Sequence, residues 1–128
     1  MNTSNVNELI LQSLEHEMGG VHVYSTALAC AQNNDLKQEW QKYLEETKKH
    51  VETLEGVARS FGLDPKQETP GRAVVRHNGK ALVQAMKMAK ETAEPAAAEL
   101  VACECVVLAE TKDHSNWELL GTLADQLP

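Results

Sequence analysis

The stretch Leu44-Glu45-Glu46-Thr47-Lys48-Lys49-His50-Val51 sets a carboxylate, Glu46, and an imidazole, His50, four residues apart. On a helix that spacing puts both side chains on one face, one turn from each other. A later stretch, Leu108-Ala109-Glu110-Thr111-Lys112-Asp113-His114, repeats the Glu-Thr-Lys-x-His order. Around the first stretch, Leu36, Trp40, Tyr43, Thr47, His50, Leu54, Val57 and Phe61 recur at helical spacing, and Lys42, Lys49, Glu52 and Arg59 occupy the opposite side. This predicts an amphipathic helix over about residues 35–61, ended by Gly62 with Pro65 beyond.

Working outward, the same periodicity predicts three more helices. One covers about residues 5–32, with Ser4 or Asn5 as N-cap and a stripe of Val6, Leu9 or Ile10, Leu14, Val21, Tyr24, Leu28 and Ala31. Glu17 falls inside that stripe, where an apolar residue is due. Gly19-Gly20 lowers helix propensity by about 1–2 kcal/mol and calls for a close neighbouring backbone or a bend. The turn Asn33-Asn34-Asp35 is short enough to make the next helix antiparallel. Residues 64–71, with Pro65, Pro70 and Gly71, form the linker, and a shorter helix follows over about residues 72–92. It carries Val74, Val75, Leu82, Val83, Met86 and Ala89, has no acid in its stripe, and leaves His77 at the surface. Pro95 opens a final helix over about residues 95–126. There the stripe is read as Leu100, Cys103, Val107, Glu110, His114, Trp117, Gly121 and Ala124, although residues 96–109 are apolar nearly all round. Glu104 is read as exposed. Gln126-Leu127-Pro128 reads as the start of an inter-helix loop.

The totals agree with this plan. In 128 residues, 42% are hydrophobic and 24% charged, and the four prolines sit at predicted breaks, which is the composition of one all-α domain. A net charge of −7 argues against a nucleic-acid partner, and no apolar run is long enough to span a membrane. The segment from Lys66 to Lys90 carries six basic residues and one acid, which reads as a solvated helix face. Cys30, Cys103 and Cys105 form no disulfide framework and read as small buried hydrophobes of a cytoplasmic protein whose N-terminus lacks signal-peptide character.

Carboxylates and histidines inside apolar stripes point to a metal site, because a buried ionised acid needs a cation or another partner. The candidate ligands are Glu17, Glu46, His50, Glu110 and His114. Mixed oxygen and nitrogen ligands suit iron, manganese or zinc better than magnesium or calcium. A phosphoryl-carrying histidine is the rival chemistry, but Val51-Glu52-Thr53-Leu54-Glu55-Gly56 after His50 gives it no helpful lysine or close glycine.

The pattern resembles the ferritin-like, rubrerythrin-type superfamily of carboxylate dimetal proteins, and within it a branch of small bacterial stress-associated proteins. The resemblance is carried by Glu17 with Tyr24, by residues 44–54 followed by Phe61-Gly62-Leu63, and by Glu110 with Trp117 leading into Leu120-Gly121-Thr122-Leu123. It implies a ferritin-like bundle with Glu17 and Glu110 as single carboxylates, Glu46 and His50 as a pair, and two iron or manganese ions. It also implies dioxygen or peroxide chemistry, or iron oxidation and storage. The partner expected is a second copy of the chain, in a homo-oligomer that is first of all a dimer. The sequence departs from the family twice. Thr47 stands where the family's Glu-x-x-His spacing expects Glu, and the last ligand-bearing helix is missing unless it follows Pro128 or comes from a partner chain. A structural bundle with a degenerate site is the alternative expectation.

Overall fold

The computed structural model describes residues 3–127 and contains four helices: α1 (Thr3–Cys30), α2 (Asn34–Ser60), α3 (Pro70–Thr92) and α4 (Pro95–Asp125). No strand occurs among the described residues. The chain is an all-α bundle, as the periodicity predicts, and the helix ends follow local chemistry. Asn33 caps α2 by accepting the Leu36 N–H at 3.1 Å. Gly62, at φ +75°, ends α2 with the Gly62 N–H donated to Arg59 and the Leu63 N–H to Ala58, each at 2.9 Å.

Two ends differ from expectation. Pro70 does not break a helix but opens α3, behind Thr69, which accepts the Arg72 N–H at 3.1 Å. Proline suits that position because its missing N–H would have no helical partner. Ser4 and Asn5 stand inside α1 rather than capping it. Of the C-terminal loop reading, Gln126 caps α4 and Pro128 lies outside the described residues.

Helix α1 is the hub. It packs against α2, α3 and α4, and α3 and α4 also pack on each other. Glu15 faces Arg72 and Arg76, and Cys30 faces the Met86 carbonyl, so α1 and α3 run in the same direction. Tyr24 faces Glu110, and Glu17 faces both His50 and Trp117, so α2 and α4 run against α1. The glycine pair marks the crossings: a Cβ on Gly79 would lie 3.8 Å from the Gly19 Cα, and one on Gly20 would lie 3.2 Å from Thr47 Cγ2. Close helix contact therefore explains Gly20, whereas a Cβ on Gly19 would meet nothing within 4 Å.

The final helix is rotated from its expected register. Ala98, Ala102, Cys105, Val106, Ala109, Asn116 and Leu123 are buried, whereas Leu100 and Val107 are 68% and 61% exposed. Small residues let α4 approach the α1 and α3 backbones closely, and that gain outweighs burying larger side chains from the other face. Because residues 96–109 are apolar on most sides, hydrophobic periodicity alone does not fix the register there.

The core falls into two clusters. One joins Val23, Tyr24, Ala27 and Cys30 to Trp40, Leu44, Met86, Ala102, Cys105 and Ala109. The other joins Val6 and Ile10 to Ala58 and Leu123. Between these clusters, beside the buried Leu11, Leu14 and Leu54, lie the polar residues described next.

Candidate metal centre

Glu17 lies in the middle of α1, 3% exposed, facing α2 and α4. Trp117 of α4 donates its indole N–H to Glu17 Oε1 at 2.9 Å. His50 of α2 brings Nδ1 to 3.6 Å from Glu17 Oε2, and its ring tilts 59° against Trp117 at a centroid distance of 5.2 Å. Asp113 of α4 completes the group: one ligand atom each from Glu17, His50 and Asp113 lie within 4.8 Å of one another. Three helices therefore converge on one point with two carboxylates and one imidazole.

A separation of 3.6 Å is too long for a hydrogen bond. Two ligand atoms each about 2.1 Å from one ion stand about 3–4 Å apart, so the spacing suits a shared cation. Burial first, then a hydrogen bond and repulsion from Asp113, push the Glu17 carboxyl up to about 9, against the opposing Trp117 hydrogen bond. Glu110 adds further repulsion. Without a cation, Glu17 is thus a neutral acid at pH 7, and a divalent ion in this position would replace its proton.

The expected ligands are placed unequally. Glu17 and His50 meet. Glu110 is exposed at one edge yet close enough to act on Glu17, and its Oε1 accepts a short hydrogen bond from the Tyr24 hydroxyl. That bond, after burial, raises the Tyr24 phenol above its usual range. Glu46 is half-buried and bears on Tyr43 rather than Glu17. Thr47 donates to the Tyr43 carbonyl at 2.7 Å. His114 is 76% exposed and pairs with Glu118 at 2.9 Å, so its expected place on the buried face is corrected. The rotation of α4 moves it outward and brings Asp113 in.

Asp113 was not among the expected ligands. The signal lay in the small residues: Ala98, Ala102, Cys105 and Ala109, spaced four, three and four apart, extend to Asp113 and Asn116. A second omission is Arg72, 2% exposed, which donates from Nε to Glu15 Oε1 at 3.0 Å and from Nη1 to the Pro65 and Gln67 carbonyls at 2.5 and 3.2 Å. Arg76 joins Glu15 at 3.1 Å and also bonds Glu68, which holds the Glu68 carboxyl below its usual range. This network fastens the linker and α3 to α1, away from the centre.

No helix among the described residues is long and apolar enough to cross a membrane. No curated protein and no solved structure matches the chain. One family model does, described as a domain of unknown function (DUF892), over residues 13–106. The matched span contains Glu17, Glu46 and His50 and stops before Glu110, Asp113 and Trp117. Since the match covers well over half of the sequence, the chain belongs to the DUF892 family.

Proposed function

We propose that this chain is a ferritin-like metal-binding protein whose centre is built on Glu17, His50 and Asp113. The observation that carries the reading is the convergence of these three groups, from three helices, around a buried carboxyl that is neutral without a cation. Two oxygens and one nitrogen suit iron or manganese, with zinc as a further candidate. The set supplies one cation position, and Glu110, whose charge acts on Glu17, is the nearest candidate to extend it toward a second. Iron or manganese bound there would supply redox chemistry toward dioxygen or peroxide, in keeping with the sequence resemblance. The chain's residues have separate tasks. Trp117 orients the Glu17 carboxylate, and His50, whose side chain is 42% exposed, leaves the side toward α2 open to solvent. The setting proposed is a cytoplasmic homo-oligomer, with Leu100, Val107 and Leu108 as the exposed apolar side of α4 open to a second copy.

One observation favours a second reading, a bundle that has lost its metal. Trp117 and Asp113 already satisfy Glu17 as a neutral acid. Anaerobic titration of metal-free protein with Fe(II), and separately with Mn(II), decides between them. Binding is expected, with a higher melting temperature; at one hundred times Kd the added stability is about 2.7 kcal/mol. The double variant Glu17→Ala/His50→Ala is expected to lose both effects. Absent binding would establish the metal-free bundle instead, and unchanged affinity in the double variant would place the metal at a different site and overturn the Glu17 centre.

A further inference from the structure

We propose that the groove between α1 and α3, floored by Gly19 and Gly79, binds a small organic anion: an apolar body carrying one carboxylate, sulfonate or phosphate group. The groove is separate from the Glu17 centre. Gly19 lies two positions beyond Glu17, about 200° around the helix, and it meets α3 at Gly79.

A glycine in the middle of a helix weakens it relative to alanine, so its presence there needs a physical reason. Packing supplies none at Gly19. A Cβ on Gly19 would meet nothing within 4 Å, and one on Gly79 would meet the Gly19 Cα at an ordinary 3.8 Å. What the two bare backbones leave is a cavity of about 500 Å³ between the helices. That volume lies within the range of about 300–1,000 Å³ typical of small-molecule sites.

The lining joins an apolar floor to a cationic rim. Met18 and Val83 border the glycines, and Met18 is 40% exposed despite its large apolar side chain. The charged side chains are Glu15, Arg76, Lys80 and Lys87. Glu15 is already held by Arg72 and Arg76, and among the described residues neither lysine stands in an ion pair. Two uncompensated cations in a chain of net charge −7 reverse the sign locally. The low-dielectric walls of a cleft focus that field on whatever enters it. Lys80 and Lys87 lie seven residues apart on one face of α3, about 10 Å along its axis. Their alkyl stems extend the apolar floor, and their ammonium groups are the partners for an anion. An anionic group held by either lysine lays its apolar body along Met18 and Val83.

Octanoate and anilinonaphthalene sulfonate, one aliphatic and one aromatic, serve as anionic probes, and octanol as the neutral counterpart of the first. Binding to the full chain at pH 7 is followed by calorimetry and by amide chemical-shift mapping. Both anions are expected to bind and to move the amides of Gly19, Gly79 and Val83. Octanoate is expected to bind about tenfold more tightly than octanol. The variant Lys80→Gln/Lys87→Gln, altered only at exposed side chains, is expected to lose that advantage. Gly19→Leu fills the floor and is expected to abolish binding while raising the melting temperature, because its Cβ enters open space and the helix gains propensity. Absent binding of both anions, equal binding of octanoate and octanol, or an undiminished octanoate affinity in the lysine variant would each overturn the site. So would shifts confined to residues outside α1 and α3.

Discussion

Replacing Arg72 with methionine is expected to lower the unfolding free energy by about 3–5 kcal/mol, the usual effect of removing one partner from a buried ion pair. The guanidinium is buried, and it satisfies Glu15 and two linker carbonyls at once. Methionine fills part of the volume but leaves Pro65 and Gln67 without their donor and Glu15 with Arg76 alone. Arg76 is a weaker support: it is one-third exposed and also engaged by Glu68, so Arg76→Met is expected to cost about 1 kcal/mol or less. The double variant Glu15→Met/Arg72→Met should recover much of the loss, because it removes both charges together. Urea unfolding of the four proteins measures this. A single-variant loss below about 1 kcal/mol would mean that the pair contributes little beyond packing.

The second large effect has the opposite sign. Glu17→Gln is expected to stabilise the metal-free protein at pH 7 by about 3 kcal/mol while abolishing metal binding. The carboxyl rises from 4.5 to about 9 on folding, so between those values the folded state holds a proton that the unfolded state has released. Stability from this group is fully present below about pH 4.5 and is lost as pH rises through about 9. Glutamine mimics the protonated acid, accepting from Trp117 and donating to Asp113, without having to take up a proton. The advantage of the variant should therefore close in acid and widen toward pH 9. Equal stability of the two proteins at every pH would refute the account.

How much of this could be read in advance varied with the contrast between neighbouring residues. Along α2, charged residues alternate with apolar ones at helical spacing, and the face from Leu36 to Leu54 was legible. Glu17 and His50 stood out because each interrupts such a face. Along α4, residues 96–109 offer apolar side chains in almost every direction, so the interior side was decided by the fit of small side chains against α1 and α3. That decision exchanged His114 for Asp113, a difference of one residue that turns the side chain about 100° around the helix. Arg72 was invisible for another reason: a basic residue in a basic segment reads as solvated, and its burial depends on Glu15, 57 positions earlier.

The hub arrangement has a consequence for motion. Among the described residues, α2 packs its backbone against α1 alone, and reaches α4 only through side chains such as the His50 and Trp117 rings. α1, α3 and α4 brace one another, so α2 is the helix expected to open before the other three. Such a partial opening costs less than global unfolding, and amide hydrogens of α2 should exchange with solvent sooner than those of α1. A cation held between Glu17, His50 and Asp113 would latch that flap, and its arrival should be recorded as slower exchange along α2.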